Sequence, residues 1–122
     1  MKGKILVIDD EIEICKLLDV FLTKEGYEVT TASSAMEGME KFKTVRPKVI
    51  LLDIRMPGMD GIEVMRRIRE IDKNVGIIMA TAVVDKNIAE EAVKLGAADY
   101  IIKPFDLEYL KRSIMAKISI LL

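Results

Sequence analysis

Three short apolar runs in this chain end abruptly on charge. Ile5-Leu6-Val7-Ile8 runs into Asp9-Asp10, Val49-Ile50-Leu51-Leu52 into Asp53, and Tyr100-Ile101-Ile102 into Lys103. Runs of this length read as strands buried on both faces, the pattern of a parallel sheet. Parallel strands share one C-terminal edge, and open α/β sheets bind their ligands there. Three carboxylates and one ammonium, far apart in sequence, are therefore expected to meet along a single edge.

The segments between the runs fit that expectation. Strand one is predicted over Lys4–Asp9 and helix one over Glu11–Glu25, with Ile14, Leu17, Leu18, Phe21 and Leu22 at helical spacing and Gly26 as its stop. Strand two follows over Glu28–Thr31. Helix two opens at Ser34-Ala35-Met36-Glu37, a capping-box pattern; Met36, Met39 and Phe42 continue its inner face, and Pro47 closes it. Strand three is Val49–Asp53. After the loop Arg55-Met56-Pro57-Gly58-Met59, Asp60 caps helix three, whose stripe is Ile62, Met65, Ile68 and Ile71. Strand four is Gly76–Thr81, helix four Lys86–Leu95 before Gly96, and strand five Asp99–Ile102. Helix five begins after Asp106 and turns Leu107, Leu110, Ile114 and Ile118 inward.

Five strand–helix repeats without a linker imply one α/β domain over residues 1–122, doubly wound, with helices on both faces of a parallel sheet. The strand order 2-1-3-4-5 is expected from the common doubly wound orders rather than from this sequence. It makes strands one and three neighbours, so Asp9, Asp10 and Asp53 face one crevice.

Composition narrows the chemistry. A chain of 122 residues buries roughly two-thirds of its unfolded surface, enough for one self-sufficient core. The net charge of −1, without a run of five like charges, argues against direct nucleic-acid binding. Cys15 is the only cysteine, which rules out an intrachain disulfide and a Cys-rich metal site. The chain has no histidine, which removes imidazole as base, ligand or phosphate carrier. Only four apolar residues follow Met1-Lys2-Gly3-Lys4, and no segment approaches the ~20 of a membrane span. No membrane partner is expected, and the reducing cytoplasm is the expected compartment.

Two carboxylates about 4 Å apart repel by roughly 4 kcal/mol at an effective dielectric near 20. Three at one edge need compensation. Lys103 offers one positive charge, and a hard divalent cation offers the rest. Oxygen donors without His or Cys favour Mg²⁺ over Zn²⁺. A carboxylate beside Mg²⁺ and Lys can attack a phosphoryl donor and become an acyl phosphate. Thr81, ending strand four, offers a hydroxyl to a phosphoryl oxygen, and Lys103 can pair with another.

Four motifs now stand in order: Ile8-Asp9-Asp10-Glu11, Leu51-Leu52-Asp53-Ile54-Arg55-Met56-Pro57-Gly58-Met59-Asp60-Gly61, Ala80-Thr81-Ala82 and Ile102-Lys103-Pro104-Phe105. Together they resemble the receiver domains of two-component response regulators over the whole chain. The resemblance implies a CheY-like, flavodoxin-like (βα)5 fold and a signalling switch rather than a turnover enzyme. It makes Asp53 the phosphorylated aspartate, Asp10 the direct Mg²⁺ ligand and Asp9 its water-mediated partner. The backbone carbonyl of Arg55 becomes a further ligand. Thr81 and Lys103 match the switch hydroxyl and the phosphate-binding lysine, and Tyr100 the switch aromatic. A cis peptide is implied before Pro104. The implied partners are a sensor histidine kinase or histidine phosphotransfer protein, which supplies the phosphohistidine, and a downstream protein target. That target would bind the face of helix four, strand five and helix five. One departure is Val83, where the family often carries an aromatic residue; this position and that of Arg55 modulate phosphorylation and hydrolysis rates in receivers.

Each residue alone has a plainer use. Asp9 and Asp10 can cap helix one, Asp53 can sit in a turn, and Asp60 reads as an N-cap. Lys103 can be solvated, Thr81 a β-former, Tyr100 core, and Met56-Pro57-Gly58 a turn. One fold that gathers five of them around a crevice makes the joint coincidence implausible. Ile12, Ile14 and Cys15 exceed what one helix face needs, and read either as packing or as contacts to a partner helix; Phe105 has the same two readings. The ending Ile118-Ser119-Ile120-Leu121-Leu122 reads as core, a dimer contact or a cut before a missing domain. With no output domain in view, a single-domain regulator is expected, with a receiver cut from a longer DNA-binding regulator as the alternative. A Mg²⁺-dependent aspartyl phosphatase would need a second Asp where Arg55 stands. A flavin carrier would need a Ser/Thr/Gly loop where Asp10-Glu11-Ile12-Glu13 stands.

Overall fold

Alternating apolar strands and amphipathic segments produce ten elements in the computed structural model, which describes residues 2–83 and 85–121, with side chains through residue 118. The order is β1 (Lys4–Ile8), α1 (Ile12–Lys24), β2 (Glu28–Ala32), α2 (Ala35–Val45), β3 (Val49–Leu52), α3 (Gly61–Ile71), β4 (Gly76–Thr81), α4 (Lys86–Lys94), β5 (Asp99–Ile102) and α5 (Leu107–Leu121). All five strands pair in parallel in the order β2-β1-β3-β4-β5. Beyond Ile118, the chain-end question lies outside the side chains described.

The central strands β1, β3 and β4 are buried on both faces, and their alternating side chains divide the core in two. Leu6, Ile8, Ile50, Leu52, Ile77 and Met79 pack against α2, α3 and α4 through Phe42, Met65, Ile68 and Ala92. Ile5, Val7, Val49, Leu51 and Ile78 face α1 and α5 through Leu18, Leu22, Leu110 and Ile114. Among the described residues, no helix is long and apolar enough to cross a membrane.

Helix ends follow local chemistry. Ser34 and Asp60 accept hydrogen bonds from the Glu37 and Glu63 backbone N–H groups at 3.1 and 2.9 Å. The capping box at Ser34 is half-formed, because the Glu37 carboxylate accepts from the Ser33 N–H (2.6 Å) rather than from Ser34. Asp85 caps α4, a start the sequence reading did not assign to it. Gly26 and Gly96 hold φ of +99° and +84°, which only glycine adopts without strain, and end α1 and α4.

Three expected core positions lie outside. Met36 is 73% exposed: α2 turns Ala35, Gly38 and Phe42 to the sheet, and Met36 falls on the far side. Leu17 is 46% exposed because the buried line of α1 is Cys15, Leu18 and Leu22. Ile71, the last residue of α3, is 56% exposed beyond the edge of the core.

Ile68 is fully buried between α3 and the sheet. Truncating it to Ala is predicted to cost about 2–5 kcal/mol through lost burial and the cavity left behind. Urea unfolding would show this as a lower midpoint with an unchanged slope.

Candidate functional site

Each strand hands its site residue over through one further rung of backbone ladder. The Asp9 N–H donates to the Ala32 carbonyl (3.0 Å), the Asp53 N–H to that of Ile8 (3.0 Å), and the Lys103 N–H to that of Thr81 (2.8 Å). Asp9, Asp53, Thr81 and Lys103 therefore leave the sheet at one edge. Asp9, Asp53 and Thr81 are buried, and Asp10 is exposed. Carboxylate oxygens of Asp9, Asp10 and Asp53 lie within 4.8 Å of one another. Behind Asp53 the chain returns at Gly61, whose N–H donates to the Ile54 carbonyl at 2.7 Å. A β-carbon at Gly61 would collide with the Asp53 carbonyl oxygen, so glycine permits this close return.

Lys103 stands at the centre, its side chain only 9% exposed. Its ammonium contacts Asp9 at 2.7 Å, Glu11 at 2.9 Å and Asp53 at 3.2 Å. Burial pulls the Lys103 pKa down. Hydrogen bonds to Asp9 and Glu11 and attraction to Asp9 and Asp53 outweigh it and hold the pKa above the ordinary lysine value. Burial raises the Asp9 carboxyl, and repulsion from Asp53 adds to that. Lys103 and the Glu11 N–H pull it back without cancelling the rise. The Glu11 side chain is the participant the sequence reading missed. It adjoins the Asp9-Asp10 pair, but nothing in the sequence sets its distance to Lys103.

Thr81 and Tyr100 are linked through one residue. The Val83 N–H donates to Thr81 Oγ1 (3.2 Å), and the Tyr100 hydroxyl donates to the Val83 carbonyl (2.8 Å). Tyr100 is half-buried, and the Val83 side chain is buried in the core. The Arg55 N–H lies 3.3 Å from Asp53 Oδ1, with the residue itself exposed. The Lys103–Pro104 peptide is cis. Of the residues weighed as partner contacts, Cys15 is buried, its thiol 3.2 Å from the Asp9 carbonyl, which gives it a packing role. Ile14 and Phe105 are half-buried against the α1/α5 core, and Ile12 is exposed. An open cavity of about 560 Å³ borders the cluster, lined by Asp10, Arg55, Met56, Pro57, Asp60 and Ile88 among others.

An all-oxygen donor set reachable from solvent through Asp10 fits a hard divalent cation. Oxygen donors, a nucleophile-capable carboxylate, a hydroxyl and an ammonium share one edge. The arrangement can bind a phosphoryl group beside Asp53.

Replacing Lys103 with Met strands the carboxylates of Asp9 and Asp53 without their cation. The variant is predicted to lose about 3–5 kcal/mol at neutral pH. A carboxyl whose folded pKa is raised favours the fold on the acid side, so the deficit should shrink as pH falls through the Asp9 titration. In the wild type the raised Lys103 pKa keeps its contribution intact below the ordinary value of 10.5 and loses it as pH rises through the folded value. Urea melts from pH 4 to 8 would show the first trend; a Lys103→Met deficit that stays constant on acidification would contradict it.

The chain matches the family model for the response regulator receiver domain over residues 5–115. It is 36% identical over 114 residues to sporulation initiation phosphotransferase F of Bacillus subtilis, covering 93% of this chain and 92% of that one. Regulatory protein AtoC of Escherichia coli is 37% identical over 108 residues, or 88% of this chain but only 23% of that protein. The structure of response regulator protein TrrA from Thermotoga maritima in complex with Mg(2+)-BeF is similar at TM-score 0.85 and 36% identity, covering 93% of this chain and 97% of that one. With a parallel sheet of order β2-β1-β3-β4-β5, an acidic crevice at its C-terminal edge and the family match over residues 5–115, the chain belongs to the receiver domain family of two-component response regulators, signalling switches of phosphorelays.

Proposed function

We propose that this receiver takes a phosphoryl group onto Asp53 from a phosphohistidine of a partner, a sensor histidine kinase or histidine phosphotransfer protein. The observation that carries the reading is the Asp53 carboxylate held against Lys103 inside a three-carboxylate cluster. The donor imidazole comes from outside, since the chain has no histidine. An Asp53 oxygen forms the new bond to phosphorus as the P–N bond breaks; the electron pair leaves on the imidazole nitrogen, which takes up a proton.

Asp9, Asp10, Asp53 and the Arg55 carbonyl would hold Mg²⁺, which when bound supplies positive charge opposite the carboxylates and the phosphoryl oxygens. Lys103 pairs with a second phosphoryl oxygen. The Thr81 hydroxyl donates to a third, and Tyr100 follows through the Val83 backbone that joins the two side chains. The face of α4, β5 and α5 thereby changes shape for a downstream protein. Moving such a switch from 1:99 to 99:1 takes about 5.5 kcal/mol, within reach of a few charge-assisted hydrogen bonds. Ile14 and Phe105 would lie at the edge of the kinase contact. The domain would work in the cytoplasm, without membrane or direct nucleic-acid contact.

The near full-length match to the B. subtilis phosphotransferase supports a receiver acting alone, by phosphorelay or by binding an effector. The partial span of AtoC favours a second reading, an N-terminal receiver of a longer regulator whose other segment binds DNA.

Incubation with a panel of autophosphorylated histidine kinases should give acid-stable label on the wild type. Asp53→Asn or EDTA should abolish it. Undiminished acid-stable label on Asp53→Asn would reject Asp53 as the acceptor.

A further inference from the structure

We propose that Glu11 is a positioning residue that restrains Lys103 and thereby limits how tightly the site holds a phosphoryl group on Asp53. The inference rests on Asp53 being the acceptor. A lysine ammonium has three N–H donors. Here three carboxylates, Asp9, Glu11 and Asp53, all lie within 3.2 Å of it. A phosphoryl oxygen arriving at Asp53 must take a donor from one of them.

The three partners are unequal. Asp9 is buried, its side chain 4% exposed, and losing Lys103 there strands a charge out of water. Asp53 carries the incoming group and stays beside Lys103. The Glu11 side chain is 59% exposed, so water takes over its carboxylate when Lys103 turns away. Glu11 is thus the partner released at least cost, and the one whose hold can be removed without unsettling the interior.

Glu11 also acts by charge. Its carboxylate and that of Asp53 share one ammonium, so negative charge added at Asp53 is added close to Glu11. Competition for Lys103 and repulsion therefore act in the same direction, both against the phosphoryl-bearing state. The Glu11 backbone keeps the side chain in place: its N–H donates to Asp9 Oδ1 at 2.9 Å, and Glu11 is the N-cap residue of α1. Glu13, in the first turn of the same helix, is exposed and serves as the charge control.

The test titrates beryllofluoride, a phosphoryl mimic, into the full chain in excess Mg²⁺ and reads bound fluoride by fluorine NMR. Glu11→Gln should bind it about three- to fivefold tighter than wild type, the range of a partly exposed ion pair. Glu11→Ala should shift the same way, so the result does not hang on one variant's folding. Glu13→Gln should match wild type. The Mg²⁺ affinity without fluoride should not tighten in Glu11→Gln. Equal affinity in wild type and both Glu11 variants overturns the proposal. So does an equal gain in Glu13→Gln, or a gain explained by tighter Mg²⁺ binding. Wild-type binding that disappears in Asp53→Asn upholds the acceptor reading separately, whereas no binding by wild type rejects that reading itself.

Discussion

Charge compensation at the edge of a parallel sheet is the constraint from which the rest follows. Parallel pairing brings the ends of β1 and β3 side by side, and one extra rung, from the Asp53 N–H to the Ile8 carbonyl, carries Asp53 into the crevice beside Asp9. Two buried carboxylates at that separation repel in a medium less polar than water. Lys103 answers this because β5 pairs with β4 and ends at the same edge. The apolar interior guarantees the close approach, and the ammonium makes it tolerable. Remaining negative charge, on Asp10 above all, faces solvent and gives the site its appetite for a cation.

Hydrogen bonds also link the edge to the half-buried face of β5. Thr81 belongs to the buried end of β4, whereas Tyr100 lies half-buried on β5. Their common contact is the backbone of Val83, which donates to one and accepts from the other. Under the proposed phosphorylation of Asp53, a change in the hydrogen bonding of Thr81 would act on the same backbone that holds Tyr100. The far end of α4 is held differently. Arg69 of α3 donates to the carbonyls of Leu95, Gly96 and Val75 at 2.8, 3.0 and 2.7 Å. The bonds to Leu95 and Gly96 satisfy carbonyls just past the C-terminal end of α4, and the bond to Val75 ties α3 to the start of β4.

Helix placement shows where periodicity misleads. Leu17 and Met36 satisfy helical spacing, but a spacing rule leaves the rotation of a helix about its axis open by a residue or so. In α1 the choice fell on Cys15, Leu18 and Leu22, because these meet the β1 and β3 side chains on that face. In α2 it fell on Ala35, Gly38 and Phe42, since the sheet comes so close at Ile8 that only a glycine fits opposite it. Small residues at a contact carry little hydrophobic signal, so helical spacing favours the larger Met36 for the inner position, although it points outward.

Local chemistry settles within the sequence. Apolar runs ending on Asp9, Asp53 and Lys103 were enough for the strands and their shared edge, and Ser34, Asp60, Gly26 and Gly96 for most helix ends, because caps, turns and burial periodicity act over a few residues. Distances between residues some fifty or ninety positions apart belong to the tertiary structure. The contact of Glu11 with Lys103, the burial of Cys15 and the Val83 link between Thr81 and Tyr100 arise only when separate strands and loops pack. A charge next to an acidic pair reads from sequence as one more solvated carboxylate. Only the folded edge brings it within 2.9 Å of a lysine, and there the same residue becomes part of the electrostatics of the site.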